Sequence, residues 1–498
     1  MAYLMGYDVG SSSIKATLLE AETGQVLCSA SSPAREMEII AQQPGWAEQH
    51  PETWWEHIVI TTREIRRKTG FEPSTVKAVG ISYQMHGLVV VDSAGSVLRP
   101  AIIWCDSRAV DIGDDAAEDM GSENCLKCML NLPGNFTASK LKWVRDHEPD
   151  TYARISKIML PGDYIAYRMT GQIKTTPSGL SEGILWDYRS QQVARILMDY
   201  YGFDPDFIPE IVPTFSDQGH LSREAAEALG LAEGTPVAYR GGDQPNNALS
   251  LNVLKPGEIA ATAGTSGVVY GVTDQTDYDA LSRVNTFVHV NHTPQAPRYG
   301  VLLCLNGTGI LYSWLKHTIA EGMDYEQLND LAVQAPIGAD GVTILPYGNG
   351  AERTLENRNL GAMINGLNFN RHGRPHLFRA AQEGIVFALH YGFKIMEQAG
   401  VRAKTVRAGM ANMFLSPLFG QIFATVTGTT VELYNTDGSQ GAARGAGIGC
   451  GLYPGFDEAF FGLDCKKTIE PDPSTTEAYI QAYNHWRKVL KTQLGPVL

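Results

Sequence analysis

Cysteine is scarce in this sequence, with seven residues among 498. So small and odd a number favours reduced thiols over a disulfide framework. Cys125 and Cys128 form a Cys-x-x-Cys pair, but no second pair of ligands with zinc-site spacing lies nearby. The pair lies in a polar, broken stretch that ends at Pro133, whereas a redox pair normally sits where a strand enters a helix. We therefore interpret these cysteines as incidental to function.

Long apolar runs are also lacking, since none approaches the roughly 18 residues of a membrane span. The first residues contain no basic region followed by an apolar stretch, which predicts that the chain has no export signal. Lysine and arginine (40) are outnumbered by aspartate and glutamate (54), so the formal net charge is −14. Because such a surface repels phosphate backbones and anionic lipids, we expect neither nucleic acid nor a membrane as a partner. The sequence predicts a cytoplasmic protein, and a homodimer stays an open alternative.

What the sequence does contain is an alternation of strand and helix patterns. Apolar runs at 3–8 and 14–19 flank the turn Gly10–Ser13 and predict an antiparallel hairpin. An amphipathic helix is predicted from Pro51 to Gly70, followed by a strand at 76–83. The alternation continues to about residue 250, which predicts an α/β fold. At about 150 residues per domain, a chain of 498 residues has room for two to four domains.

The opening turn has a counterpart in the second half of the chain. Asp8–Ile14 and Thr262–Val268 each follow an apolar strand, contain Gly followed by hydroxyl residues, and lead into another strand. Repetition at this scale indicates duplicated domains. We therefore predict two related α/β domains, residues 1–252 and residues 253–498, each opening with a hairpin.

A hairpin tip rich in glycine and serine exposes several backbone amides, and such a nest binds phosphate oxygens. Two nests facing each other across a domain cleft would hold the two ends of a triphosphate. Asp8 lies beside the first tip, where a carboxylate suits magnesium, although a lone Asp-x-Gly can also cap its own turn. The second repeat has Thr262 at that place, so the two sites are not equivalent.

A second carboxylate follows the predicted strand at 237–239. Gly241 and Gly242 allow close backbone approach and present Asp243 at the strand end. A carboxylate there could take a proton from an alcohol that attacks phosphorus. From this segment alone, a structural turn aspartate is an equal alternative.

Several segments follow one another in an order shared with a known family. They are Tyr7–Lys15, Gln84–Gly87, Trp104–Arg108, Phe136–Val144, Leu160–Tyr164, Arg168–Gly171, Gly242–Gln244, Gly264–Gly267, Glu352–Thr354, Glu383–Gly384 and Ala408–Ala411. In order and spacing they resemble the FGGY carbohydrate kinases, and the resemblance runs from Tyr7 to about Leu452. It implies two duplicated actin-like, ribonuclease-H-like domains with an interdomain catalytic cleft. The N-terminal domain would hold the sugar, the first phosphate loop and the catalytic base, and the C-terminal domain the second phosphate loop and the adenosine.

The resemblance further implies transfer of the γ-phosphoryl group of MgATP to a hydroxyl of a small sugar, with motifs most similar to those of kinases acting on D-xylulose. Ribulose, fuculose, gluconate or glycerol are alternative substrates. A nucleotide-binding protein of actin-like fold that transfers no phosphate is a further alternative, disfavoured because such a binder has no use for Asp243. A dinucleotide oxidoreductase is disfavoured because the glycines from 445 to 451 lack the Gly-x-Gly-x-x-Gly spacing, and small residues there would pack a helix tightly.

The family pattern assigns a role to each matching residue. The implied roles are general base for Asp243; magnesium binding through water for Asp8; sugar contacts for Met85, His86, Trp104, Asp243 and Gln244; phosphate contacts for Gly10, Ser11, Ser12, Lys15, Gly264, Thr265 and Ser266; and adenosine contacts for Ala408, Gly409, Asn412, Gln440 and Gly441. Two alternatives stay open: His86 as a structural histidine and Trp104 as a core residue. The sequence departs from the family pattern at two places: the triple glycine is reduced to Gly409, and Cys105 replaces a common asparagine. Both places lie in segments that the resemblance assigns to substrate binding.

Overall fold

The computed structural model describes residues 1–495, which divide into two compact units. The first unit comprises Met1–Leu254, Phe287–Tyr299 and Thr436–Leu463, and the second comprises Lys255–Thr286, Gly300–Asn435 and the chain from Asp464 onward. Each unit, as defined by its packing, consists of three separate segments of the sequence. The functional division into residues 1–252 and 253–498 stays a prediction.

The strands occupy both units. They are β1 Tyr3–Val9, β2 Ile14–Glu20, β3 Val26–Ser32, β4 Glu48–Gln49, β5 Val76–Tyr83, β6 Val89–Val91, β7 Ala101–Ile102, β8 Lys157–Met159, β9 Lys174–Thr175, β10 Trp186–Asp187, β11 Gln192–Val193, β12 Glu210–Ile211, β13 Val237–Gly242, β14 Glu258–Ala263, β15 Gly267–Thr273, β16 Asn285–Val288, β17 Tyr299–Leu305, β18 Thr343–Tyr347, β19 Gly361–Asn365, β20 Thr405–Gly409, β21 Thr430–Tyr434 and β22 Cys465–Ile469.

The helices complete an α/β architecture. They are α1 Pro51–Thr69, α2 Val110–Met120, α3 Ser122–Met129, α4 Thr137–His147, α5 Pro149–Tyr152, α6 Pro161–Thr170, α7 Pro177–Glu182, α8 Arg195–Tyr201, α9 Arg223–Leu229, α10 Asp243–Ser250, α11 Gly309–Ile319, α12 Tyr325–Val333, α13 Arg374–Gln398, α14 Pro417–Thr427, α15 Gly438–Gly449, α16 Phe456–Ala459 and α17 Thr476–Leu494. Within residues 1–495, none of these helices is long and apolar enough to cross a membrane.

The central sheet of the first unit has the strand order β13-β5-β1-β2-β3. β1 pairs with β2 antiparallel and with β5 parallel, so the predicted opening hairpin is confirmed. Helix α1 packs beside it through Trp54 and Ile58, both fully buried, and ends at Gly70 in the left-handed region (φ 66°). The carboxyl ends of the parallel strands β1, β5 and β13 lie at one edge of the sheet, and this edge carries Asp8 and Asp243.

Helix α15 lies directly on this sheet because glycines face it. A Cβ on Gly6 would lie 1.9 Å from the Ser439 carbonyl oxygen, and one on Gly80 would lie 1.9 Å from that of Ala442. The small residues of α15 therefore serve close helix packing, as the sequence predicted in place of a dinucleotide motif. Sequence patterns did not predict that this helix returns to the first unit, although its Ser439 is 422 residues beyond Thr17 of the hairpin.

The sheet of the second unit has the order β16-β17-β15-β14-β20-β21-β22. β14 pairs antiparallel with β15 and parallel with β20, the same local arrangement that β1 has with β2 and β5. The duplicated hairpin is therefore confirmed in both units. Behind this sheet lies the long helix α13, of which Phe378, Ala381 and Ile385 are buried in the core.

One local prediction is wrong. Cys125 and Cys128 do not lie in a broken stretch; both are buried on one face of α3. The error has a simple cause, since Ser122, Glu123 and Lys127 surround the pair and mask a short amphipathic helix. No disulfide is formed among residues 1–495, in agreement with the expectation of reduced thiols.

Candidate active site

Asp8 lies at the end of β1, where the sheet presents its carboxyl edge. Its Oδ1 accepts a hydrogen bond of 2.8 Å from the Ser82 hydroxyl, which lies opposite it on β5. Burial raises the pKa of Asp8, and the nearby Asp437 charge raises it further, while the Ser82 hydrogen bond and the Lys15 charge act in the other direction. Asp8 is therefore a carboxylate held in place by its neighbours rather than a residue that caps its own turn.

Lys15 lies directly across the hairpin from Asp8 and contacts a third acidic residue. Its ammonium lies 2.6 Å from Asp437 Oδ2. Asp437 also caps α15, because its Oδ1 accepts hydrogen bonds from the backbone amides of Ser439 (3.0 Å) and Gln440 (3.1 Å). Although burial acts to raise the pKa of Asp437, Lys15 and these donors hold it below its ordinary value. Lys15 is thus fixed at the hairpin tip with its charge partly compensated.

The first glycine-serine turn is held from the protein side. Met37 N–H donates to the Ser12 carbonyl (2.8 Å), and Gln49 Nε2 donates to the Ser11 carbonyl (2.7 Å). Gly10 N–H closes the turn on the Ser13 carbonyl at 3.1 Å. Ser12 is exposed and Ser11 is half-buried. The turn is therefore rigid and accessible, as a phosphate-binding turn must be.

Asp243 is the first residue of α10 and directly follows β13. Burial raises the pKa of its carboxyl to about 7, and the charge of Asp8 contributes to the same shift. The adjacent Gln244 lowers it in part through hydrogen bonds from its backbone and side chain. The structure thus brings Asp8 and Asp243 close enough for one charge to act on the other, and it leaves Asp243 with the pKa of a general base that works near neutral pH.

Met85 and His86 follow β5, whose last residue pairs with Gly242, the residue before Asp243. Met85 is buried, and its Cγ would lie 2.6 Å from a Cβ on Gly242, the residue that precedes Asp243. The His86 ring packs edge-on against Phe136, with centroids 4.8 Å apart. His86 Nδ1 lies 2.8 Å from the Glu182 carbonyl oxygen, which can only accept, so Nδ1 carries the proton. In the neutral ring, Nε2 is then the hydrogen-bond acceptor.

Trp104 does not belong to the core. Half of its surface is exposed (50%), and its Nε1 donates to the Ser11 hydroxyl at 3.2 Å. The alternative of a core tryptophan is therefore wrong. Its contact with Ser11 places it beside the first glycine-serine turn.

The second turn lies in the second unit between β14 and β15. Gly309 N–H donates to the Gly264 carbonyl at 2.8 Å, and Ile310 N–H donates to the Thr265 carbonyl at 3.3 Å. A Cβ on Gly264 would lie 3.3 Å from Asn412 Nδ2, so Gly264 and Asn412 are neighbours. The Ser266 hydroxyl donates to the Asn306 side chain at 3.4 Å. Backbone hydrogen bonds thus connect this turn to the start of α11, just as hydrogen bonds from Met37 and Gln49 hold the first turn.

The residues predicted to contact adenosine are divided between the units. Ala408 is fully buried in β20, Gly409 ends that strand, and Asn412 follows with a left-handed backbone (φ 54°). Gln440 and Gly441 lie on α15 in the first unit. A Cβ on Gly441 would lie 2.6 Å from the Ser250 side chain, so close packing against α10 requires a glycine at this position.

Sequence reasoning missed three polar residues of this region: Asp437, Glu182 and Lys140. Lys140 is fully buried on α4, and its ammonium donates to the carbonyls of His86 (2.9 Å) and Ile103 (3.0 Å). Burial lowers the pKa of Lys140 to about 7. A usable signal existed, because Lys140 lies on the apolar face of a helical pattern, where an unpaired charge is costly. Asp437 and Glu182 carried no such signal, since each lies among polar and small residues.

Comparison with known proteins gives a consistent result over nearly the whole chain. The models for the N-terminal and C-terminal domains of the FGGY family of carbohydrate kinases match residues 3–250 and 259–450. A xylulose kinase of Haemophilus influenzae is 30% identical over 498 residues, covering 97% of this chain and 98% of that protein. A xylulose kinase of Bacillus subtilis is 29% identical over 462 residues, covering 92% and 90%. The crystal structure of the xylulose kinase from Rhodospirillum rubrum is similar with a TM-score of 0.88, 27% identity and 98% coverage of both chains.

Proposed function

The chain belongs to the FGGY family of carbohydrate kinases, and on that premise we propose that it transfers the γ-phosphoryl group of MgATP to a hydroxyl of D-xylulose. The observation that carries the proposal is Asp243, a carboxylate at a strand end whose pKa is raised to about 7 by burial and by Asp8. A base with that pKa is ionised in a large fraction at neutral pH and still basic enough to accept a proton.

In this proposal Asp243 accepts the proton of the attacking hydroxyl as its oxygen bonds to the γ-phosphorus. The bond between the γ-phosphorus and the β,γ-bridging oxygen of ATP breaks in the same step, and ADP leaves. Phosphoryl transfer requires little covalent chemistry from the protein, so positioning and charge account for most of the rate. Met85, His86, Trp104 and Gln244 are proposed to orient the sugar. Met85 packs against Gly242 and directly precedes His86, Gln244 follows Asp243, and Trp104 contacts Ser11 of the first turn.

Asp8 is proposed to hold the magnesium ion that the family implies. Within residues 1–495, no group of three or more histidine, cysteine or acidic side chains could hold a metal ion. A single carboxylate fits this family's ion nonetheless, because Mg²⁺ in such sites keeps several waters and binds phosphate oxygens as its other ligands. When bound, the ion would neutralise charge on the transferring phosphoryl group.

The remaining predicted residues are proposed to bind the nucleotide. Gly10, Ser11, Ser12 and Lys15 of the first turn, and Gly264, Thr265 and Ser266 of the second, offer amides, hydroxyls and one ammonium to phosphate oxygens. Ala408, Gly409, Asn412, Gln440 and Gly441 are proposed to border the adenosine. Because Ala408 is buried, only its backbone could do so.

D-xylulose is the proposed acceptor because the similar proteins named above are xylulose kinases. The test is ADP release by the purified chain with MgATP and one acceptor at a time: D-xylulose, D-ribulose, L-fuculose, gluconate and glycerol. We expect the highest kcat/KM with D-xylulose and no sugar-dependent release in EDTA. Release that is indifferent to every acceptor would contradict sugar phosphorylation, and a higher kcat/KM with another acceptor would reassign the substrate.

A further inference from the structure

We propose that Glu182 is a positioning residue for the acceptor sugar, because its carboxylate and its backbone carbonyl together hold His86, and the same carboxylate packs over Gly242, the residue before Asp243. The inference rests on the proposed function, in which His86 contacts the sugar. Glu182 ends helix α7 and is 1% exposed. Its side chain therefore contacts neighbouring residues and is shielded from solvent.

His86 adopts a backbone conformation that needs outside support. Its φ is 62°, in the left-handed region that a non-glycine residue seldom occupies. Such a conformation persists only where several contacts enforce it, and strained residues of this kind cluster at ligand sites. The strain is therefore a reason to ask what holds His86 in place.

Glu182 supplies two of the restraining contacts. His86 N–H donates to Glu182 Oε2 at 3.2 Å, and His86 Nδ1–H donates to the Glu182 carbonyl at 2.8 Å. One residue thus fixes both the backbone and the ring of His86. The carbonyl contact also selects the ring tautomer in which Nε2 accepts, which suits a hydrogen bond from a sugar hydroxyl.

The other side of His86 is held by Lys140. Its ammonium donates to the His86 carbonyl at 2.9 Å and to the Ile103 carbonyl at 3.0 Å. Ile103 directly precedes Trp104, so Lys140 links the two segments that are proposed to contact the sugar. His86 is therefore restrained at its N–H, at its carbonyl and at its ring.

The Glu182 carboxylate is itself fixed on both oxygens. Tyr83 OH donates to Oε1 at 2.5 Å, while Oε2 receives the His86 amide. Both carboxylate oxygens would lie 3.2 Å from a Cβ on Gly242, so the carboxylate fills the space over the residue before Asp243. One side chain thus connects the histidine of the sugar site with the strand end that carries the base.

The primary test measures KM for D-xylulose, KM for ATP and kcat in Glu182→Gln and Glu182→Ala. The alanine variant should raise the sugar KM about 10- to 100-fold, because misplacement of a binding group by about 1 Å is enough for such a loss. The glutamine variant should raise it about threefold to tenfold, since one of the two accepting oxygens becomes a donor. ATP KM should change less than twofold in both.

Two matched variants separate positioning from general damage. Tyr83→Phe removes one hydrogen bond of Glu182 but keeps the His86 contacts, so its effect on sugar KM should be smaller than that of Glu182→Ala. Glu383→Gln alters an equally buried carboxylate (2% exposed) of the second unit, which pairs with Arg379 at 2.7 Å, and it should leave sugar KM unchanged. Thermal melting of each variant reports whether folding is retained.

A double-mutant cycle with His86→Ala decides whether Glu182 acts through His86. We expect Glu182→Gln to raise sugar KM in the wild-type chain but to add less than twofold in the His86→Ala background. Additive effects, or equal rises in sugar KM and ATP KM, would overturn the inference. The failure of the proposed function itself is distinguishable, because in that case the wild-type chain would release no ADP in response to any sugar.

Discussion

The two glycine- and hydroxyl-rich turns share a backbone setting but differ in charge. Each joins two antiparallel strands whose first member also pairs with a parallel strand. The first turn is flanked by Asp8, whereas the second has Thr262 at the matching place. Asp243 and Asp437 also belong to the first unit. The duplicated scaffold thus carries the glycine- and hydroxyl-rich turn in both units but Asp8, Asp243 and Asp437 in the first unit alone.

The largest expected effect comes from the proposed base. Asp243→Ala should lower kcat by roughly two to four orders of magnitude, because general base catalysis contributes about that much. The variant should keep the thermal unfolding midpoint of the wild type within a few degrees. Steady-state ADP release with D-xylulose measures the loss, and near-normal turnover would reject Asp243 as the base.

The next largest loss of activity should distinguish Asp8 from Thr262, its counterpart beside the second turn. Asp8→Asn should lower kcat about 10²-fold and raise the Mg²⁺ concentration needed for half-maximal rate, because it removes the charge proposed to hold the ion. Thr262→Ala should change both values less than threefold. The measurement is a magnesium titration of both variants. Equal losses would show that the two turns are not chemically distinct.

The resemblance of the chain to its family assigned roles to the carboxylates of Asp8 and Asp243. Local sequence patterns predicted the two hairpins, α1 and β5. Two features could not be found in this way. The packing of α15 on β1 and β5 depends on Gly6 and Gly80, which leave room for the helix because they have no side chain. Such positions do not contribute to a pattern of apolar residues, so a search for periodicity does not find them. Glu182 follows Ser181 and precedes Gly183, a context typical of a surface loop, and only the fold buries its carboxylate beside His86.

The pH dependence of catalysis should show the effect of the Asp8 charge on the pKa of Asp243. Asp243 must be ionised to accept a proton, and its pKa is about 7, so kcat/KM for D-xylulose should fall about tenfold per pH unit below that value. Because the negative charge of Asp8 raises this pKa, Asp8→Asn should move the acidic limb to lower pH. Thr262→Ala should leave the limb in place. A limb that does not move in Asp8→Asn would contradict the coupling.

The smallest expected effects distinguish two kinds of glycine. Gly6→Ala should lower the free energy of unfolding by about 1–3 kcal/mol, since a Cβ there meets the Ser439 carbonyl at 1.9 Å and the Ala443 amide nitrogen at 2.5 Å, and backbone atoms cannot step aside.

Gly264→Ala, in contrast, should change that free energy by no more than about 0.5 kcal/mol, because its Cβ approaches the end of the Asn412 side chain at 3.3 Å and the Ser266 carbonyl oxygen only at 3.8 Å. It should instead raise ATP KM, since a methyl group at the turn obstructs the approach of phosphate. Urea unfolding midpoints and ATP KM of both variants provide the check. If Gly264→Ala destabilised the chain as much as Gly6→Ala while leaving ATP KM unchanged, the second turn would be a packing element and not a phosphate-binding one.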